Sequence, residues 1–183
     1  MRIRPKDFIS IDDKLFFAVV YEYQEDNHAL TFLRYIRDNT GMHKLTTKKA
    51  EKIISEYYPE FQFNSSYVDI GLHGIPINMI KKIYYPEKTV NQLLNTRTPE
   101  NKERDAIGAI KYLQGIGCKA DNIGITGSIM LGAHNECSDI DIVIYGREAF
   151  LKIRNQIKNS LTPHLHTQHQ ELWSFLKSNL KLF

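Results

Sequence analysis

One stretch constrains this chain more than any other: residues 123–146, IGITGSIMLGAHNECSDIDIVIYG. A short apolar run, Ile123-Gly124-Ile125-Thr126, breaks at Gly127-Ser128. Ten residues later Asp139-Ile140-Asp141 opens a second run through Ile142-Val143-Ile144-Tyr145. The pattern predicts strand, turn with a helix start, loop and strand. Residues i and i+2 of a strand point to one face, so Asp139 and Asp141 aim together while Ile140 and Ile142 aim the other way. Two carboxylates side by side repel unless something cationic lies between them, and a hard dication such as Mg²⁺ takes carboxylate and phosphate oxygens. Glycine lets a backbone approach a ligand closely, and the N–H groups of a helix start favour phosphate. Gly127 and Ser128 are therefore candidate nucleotide contacts, and Asp139 and Asp141 candidate metal ligands for Mg²⁺ or Mn²⁺.

An Asp pair at a strand end is also a common solvated edge, and Gly-Ser a common turn. The spacing that joins them carries the reading. Gly-Ser, ten residues, then Asp-Ile-Asp inside an apolar strand resembles the signature of the nucleotidyltransferase superfamily that includes DNA polymerase β. More narrowly, the stretch is similar to a group of predicted nucleotidyltransferases known mainly from archaea and some bacteria. In that group Gly-Ser is followed by Leu-Gly-x-His-Asn, then Ser-Asp-Ile-Asp and Tyr-Gly. RPKDFISIDDKLFFAVV near the N-terminus and HGIP at 73–76 extend the likeness to most of the chain.

The resemblance implies transfer of a nucleoside monophosphate from a nucleoside triphosphate to a hydroxyl acceptor, which is a protein side chain, an RNA end or a small molecule. It makes Asp139 and Asp141 the catalytic carboxylates that hold two Mg²⁺ ions, and sets Gly127 and Ser128 on the β- and γ-phosphates. The superfamily's site also uses a third carboxylate, from a strand beside the Asp-Ile-Asp strand. Downstream of the intervening helix the sole acid here is Glu171, in a segment patterned as a helix. The chain taken alone is therefore expected to lack a complete carboxylate triad and to be weak or inactive in transfer. The alternative reading is a catalytically inactive relative that keeps the fold to bind nucleotide, RNA or a protein partner.

Composition narrows the setting. The length suits one large domain or two small ones, and 42% hydrophobic residues is the content of a folded chain. No apolar run approaches a membrane span, and MRIRPKD is not followed by an apolar segment of signal type, so no membrane partner and a cytoplasmic location are expected. Cys118 and Cys137 make neither a disulfide framework nor a zinc quartet. A net charge of +3 is too small to argue nucleic-acid binding from the total. Local groups at Lys44, Lys48, Lys49 and Lys52, at Lys81, Lys82 and Lys88, and at Arg97, Lys102 and Arg104 are read first as solvated faces.

Taken in order, residues 7–37 predict a three-strand meander, with turns at Asp12-Asp13-Lys14 and Glu25-Asp26-Asn27. Thr46 or Thr47 caps a helix whose Ala50, Ile53, Ile54 and Tyr57 recur at helical spacing, ending before Pro59. Tyr67 to Leu72 suggests a strand and His73-Gly74-Ile75-Pro76 a turn, with His73 structural; Asn78 to Tyr85 fits a short helix or a strand. Thr98 as N-cap and Pro99 at the first position start a helix with Ala106, Ile107, Ile110 and Leu113 inward, stopped at Gly115. Gly115-x-Gly117-x-x-Ala120 has the letters of a dinucleotide fingerprint but follows a helix and precedes a strand, the reverse of the required order. There is no Gly-Lys-Ser/Thr, hence no P-loop. Arg147 to Lys158 predicts a helix with Phe150, Ile153 and Ile157 inward. His164, His166 and His169 lack ligand partners at a zinc spacing. Gln170 to Phe183 predicts an amphipathic helix that docks on the core or on another chain, leaving a homo-oligomer open. The expected architecture is α+β: a β-meander plus helix module over residues 1–97, then a small mixed-sheet nucleotidyltransferase core over 98–183.

Overall fold

Two tight hairpins shape the first part of the chain. After β1 (Phe8–Ser10) the Asp12 carboxylate accepts hydrogen bonds from the N–H groups of Lys14 (2.8 Å) and Leu15 (2.7 Å), turning the chain into β2 (Leu15–Glu25). At Asp26-Asn27 both residues have positive φ, 48° and 61°. That is the geometry of a two-residue hairpin loop whose twist matches the flanking strands, and Asn and Asp tolerate it best. β3 (His28–Asp38) then returns antiparallel to β2, so the expected meander is present, with longer second and third strands than the sequence suggested.

The computed structural model describes residues 2–68, 70–160 and 180–182. The protein is α+β. It divides into two compact units, Met1–Tyr84 and Tyr85–Phe183. The division falls before Pro86 rather than at residue 97, because the helix Pro86–Asn95 packs with the second unit.

In the first unit β4 (Gly41–Lys44) pairs with the end of β3, while β6 (Gly71–Pro76) pairs with its beginning and β5 (Gln62–Asn64) with β6. β7 (Lys82–Tyr84) closes the other edge on β1, giving the order β5-β6-β3-β2-β1-β7. Residues 73–76 are thus strand rather than turn. Glycine and proline inside a strand are turn signals in sequence, but Pro76 is at the strand end and Gly74 lies under a neighbour. A β-carbon at Gly74 would meet the Phe63 side chain at 2.6 Å, so the absent side chain is what lets that ring cover the sheet. The strand expected from Tyr67 begins only at Gly71. The open segment 78–85 resolves into a single turn over Ile77–Met79 followed by β7.

The first helix, α1 (Thr47–Tyr57), has Thr46 as N-cap, its side chain accepting from Lys49 N–H (3.3 Å). Ala50 and Ile54 are fully buried among Phe17, Leu33 and Phe61. Tyr57 is 69% exposed, so it does not belong to the inward stripe. His73 is structural as expected. Its ring stacks on Phe32 with centroids 4.5 Å apart, and Nδ1 accepts the Leu33 N–H at 2.9 Å.

The second unit opens with α2 (Pro86–Asn95), which the sequence reading did not separate from its surroundings. Its signals were present: Pro at the first position, Glu87 in the first turn, and Pro86, Thr89, Val90 and Leu93 buried at i, i+3, i+4, i+7. α3 (Asn101–Gly115) starts two residues later than the Thr98-Pro99 pair suggests. Glu100 is the N-cap, and Glu103 reaches back to accept its N–H at 2.9 Å, half of a capping box. β8 (Ile123–Thr126), α4 (Gly127–Leu131), β9 (Ile140–Ile144) and α5 (Arg147–Ser160) follow in the expected order. Val90, Leu93, Ala106, Ile110, Leu113, Ile123, Ile125, Ile140, Ile142 and Ile153 share one core.

A third strand, β10 (Leu180–Leu182), runs parallel to β9, whereas β8 is antiparallel to it; the sheet is small and mixed. The helix expected over 170–183 is thus a strand at 180–182. Residues 161–179, with His164, His166, His169 and Glu171, and residue 183 lie outside the described residues.

Candidate functional site

β8 and β9 bring the two halves of the sequence signature together. Their antiparallel register pairs Ile125 with Ile142 and Thr126 with Asp141. Gly127, the next residue after Thr126, therefore turns away at the level of the Asp141 side chain. A β-carbon built on Gly127 would collide with the Asp141 carboxylate oxygen Oδ2. Gly127 also has φ +70°, a left-handed conformation that a side chain disfavours. Two independent requirements thus select glycine here: backbone conformation, and room for a carboxylate against the turn.

Around Asp141 burial alternates as the strand pleat demands. Ile140 and Ile142 are fully buried, whereas Asp139 and Asp141 are half-buried. Asp139 lies one residue ahead of β9. Asp141 is the second residue of β9, so the two aspartates flank the buried Ile140. Ser128 is buried, 9% exposed, at the second position of α4, and its carbonyl accepts from Ala133 N–H at 2.8 Å. Thr126, not Ser128, is the N-cap residue of α4, so Ser128 does not act as a helix cap.

The loop between α4 and β9 is held by its own turn. Gly132 (φ +64°) ends α4; Asn135 Oδ1 accepts from Cys137 N–H at 2.9 Å, and Ser138 Oγ from Asn135 N–H at 2.9 Å. Two side-chain contacts tie this loop to the start of α3. Asn101 Nδ2 donates to Glu136 Oε1 at 3.0 Å, and His134 Nε2 lies 3.3 Å from Glu100 Oε2. The His134 side chain is only 9% exposed, and neither ring nitrogen has a hydrogen-bond partner; the approach to Glu100 is at ion-pair distance without hydrogen-bond direction. Sequence reasoning met His134 only as a letter in the family-like run and gave it no role.

Asp139 and Asp141 are the residues that could hold a hard divalent cation: both are carboxylates and both are partly exposed. Among the described residues no group of three or more His, Cys, Asp or Glu side chains is arranged to hold a metal ion. A cation held by the two aspartates would therefore complete its shell with water or ligand oxygens. The strand paired with β9 on its other side reads Leu-Lys-Leu and brings no acid among the described residues.

The basic groups noted in sequence are divided between the two units. Lys44, Lys48, Lys49 and Lys52 are exposed on β4 and α1, in the first unit. Lys81 and Lys82 belong to the first unit and Lys88 to the second; Lys82 lies over the Tyr84 ring and Lys88 over the Tyr85 ring. Lys102 is buried and pairs with Asp105 at 3.7 Å, whereas Arg97 and Arg104 are exposed. No helix among the described residues is long and apolar enough to cross a membrane.

The fold and site define an α+β protein whose second unit sets the Asp141 carboxylate against a glycine turn. At the level of individual relatives, the chain is similar to the uncharacterized protein MJ1086 of Methanocaldococcus jannaschii. The two are 27% identical over 178 residues, covering 87% of this chain and 52% of the relative. The chain thus spans about half the length of the curated relative it matches. No family model matches it, and no solved structure matches it significantly.

Proposed function

We propose that the second unit is a Mg²⁺- or Mn²⁺-dependent nucleotidyltransferase site that moves a nucleoside monophosphate from a nucleoside triphosphate to a hydroxyl acceptor. The observation that carries this reading is the apposition of the Asp141 carboxylate and the Gly127 backbone. A turn with no side chain, directly beside a carboxylate at the end of a strand, is what a phosphate-bearing ligand and its counter-cation require. Asp139 and Asp141 hold the cation, the missing side chain at Gly127 lets the Asp141 carboxylate sit against the turn, and the phosphates meet the Gly127-Ser128 turn with the cation between them and the carboxylates. When bound, the metal supplies acidity to the attacking hydroxyl and neutralises charge on the departing pyrophosphate. The chain's own part is to fix these groups in line on rigid elements, where positioning supplies much of the rate. A cytoplasmic location goes with this reading.

A second reading has its own support: the chain binds nucleotide, RNA or a protein partner without transfer. Leu180–Leu182 brings no carboxylate beside β9, and a third carboxylate is the group that helps the acceptor hydroxyl lose its proton. Isothermal titration of each nucleoside triphosphate, with and without Mg²⁺, tests the site that both readings share. Metal-dependent binding that disappears in the Asp139→Asn, Asp141→Asn double variant is expected, and equal affinity in that variant overturns the site. Incubation with labelled triphosphates then separates the readings by whether a labelled product forms.

A further inference from the structure

At the opposite end of the same two strands lies a second concavity with a different charge. β8 and β9 pair Thr126 with Asp141 at one end and Ile123 with Ile144 at the other. Beyond the latter end a cleft of about 520 Å³ opens, lined among others by Lys119, Arg147, Glu148 and Lys152. The length of β8 separates it from the Gly127–Asp141 turn by about 13 Å, at roughly 3.3 Å per strand residue. One ligand phosphate cannot serve both places.

The lining is cationic and its backbone is bare. Three cations face one acid, and Lys119, Arg147 and Lys152 are all exposed. Gly117 and Gly146 form two of the walls, with φ +89° and +90°. A β-carbon at Gly117 would meet Lys152 Nζ at 2.7 Å, so glycine lets the ammonium settle on the backbone, where it donates to the Gly117 carbonyl at 3.3 Å. That bond uses one of three ammonium protons and holds the charge at the cleft. Asn122, another lining residue, ties the two strands together: its side chain donates to the Tyr145 carbonyl at 2.6 Å, and its carbonyl accepts the Tyr145 N–H at 2.8 Å. The cleft therefore has a braced floor, a volume within the range of small-ligand sites, and an excess of positive charge.

We propose that this cleft binds the phosphate group of a ligand separate from the one at the Gly127–Asp141 turn. Arg147 offers a planar fork suited to phosphate oxygens, and Lys119 and Lys152 add point charges. The inference does not depend on the transferase reading, since it rests on residues at the other end of the strands.

Titration calorimetry on the full 183-residue chain, in EDTA and at low salt, tests it with three probes: inorganic phosphate, adenosine monophosphate and a single-stranded oligoadenylate RNA. Binding is expected for at least one probe, weakened tenfold or more in Lys119→Gln, Arg147→Gln and tightened about threefold in Glu148→Gln. A gain in the Glu148 variant cannot come from misfolding. Equal affinity for phosphate and the mononucleotide assigns a bare phosphate, preference for the mononucleotide a nucleotide, and preference for RNA a polynucleotide backbone. No binding of any probe, unchanged affinity in the Lys119, Arg147 variant, or an equal loss in Asp139→Asn, Asp141→Asn overturns the proposal.

Discussion

The carboxylate of Asp141 fills the space that a β-carbon on residue 127 would need. Strand register produces this relationship: Thr126 opposes Asp141, and the chain turns at the next residue. Neither residue can change without consequence for the other.

Gly127→Ala is expected to cost about 1–3 kcal/mol, from a side chain at φ +70° and from displacement of the Asp141 carboxylate. The second part is removable. In an Asp141→Ala background the same substitution should cost less, and a double-mutant cycle in urea measures the difference. Strict additivity of the two changes would contradict the packing described here.

Ser128→Ala distinguishes a ligand contact from a structural hydroxyl. With Thr126 as the N-cap residue of α4, loss of the usual ~1 kcal/mol for a capping side chain is not expected. Triphosphate affinity should fall about tenfold, the worth of a hydrogen bond to a charged group. Thermal melting beside calorimetry reads both, and early melting with normal binding would reverse the assignment.

His73 makes the first unit acid-sensitive. Burial lowers its pKa from 6.5 to about 4, and its Nδ1 must stay unprotonated to accept the Leu33 N–H. Between these values the unfolded chain binds a proton that the folded chain refuses, so stability rises with pH across the window and is lost as pH falls from about 6.5 towards 4. The slope is at most about 1.4 kcal/mol per pH unit for one proton. Denaturant titrations at pH 4.5, 5.5 and 7 should show it, and His73→Phe should flatten it while lowering stability at pH 7 by orphaning the Leu33 N–H.

Glu25 acts in a lower window. Its carboxylate accepts from Ser65 Oγ, Ser66 Oγ and Ser66 N–H, each at 2.6 Å, and the Ser65 and then the Ser66 hydroxyl lower its pKa. A lowered carboxyl pKa gives stability that is present above the unfolded value and lost as pH falls through the folded one. Amide exchange should show the Ser66 N–H protected at pH 6, and less so in Glu25→Gln. Equal protection would mean that other contacts hold this segment.

What was legible in the sequence followed from local chemistry. Asp12, Asp26-Asn27 and Thr46 announce turns and a cap because each acts on backbone groups within three residues. The Gly-Ser and Asp-Ile-Asp pairing was legible because one half follows an apolar strand and the other opens one, though only the register shows which aspartate meets the glycine. What was missed depends on neighbours distant in sequence. Gly74 reads as a turn until Phe63 is known to lie over it, and β6 becomes a strand through its pairing with β3. Leu180–Leu182 is too short to declare itself a strand without β9 beside it. The basic cleft gathers Lys119 with Arg147 and Lys152 only after β8 and β9 have brought their flanks together.

The parallel placement of β10 also orders events during synthesis. β8 and β9 are joined by α4 and the loop that follows it and can pair as soon as both have left the ribosome, carrying Gly127 and Asp141 with them. Leu180, which pairs with Ile140, arrives only after the whole of α5. Parallel pairing needs such a crossover and is correspondingly slow. Until then the nascent chain holds a formed aspartate–glycine corner beside an open strand edge, and that edge is where a chaperone or a second nascent chain would find it.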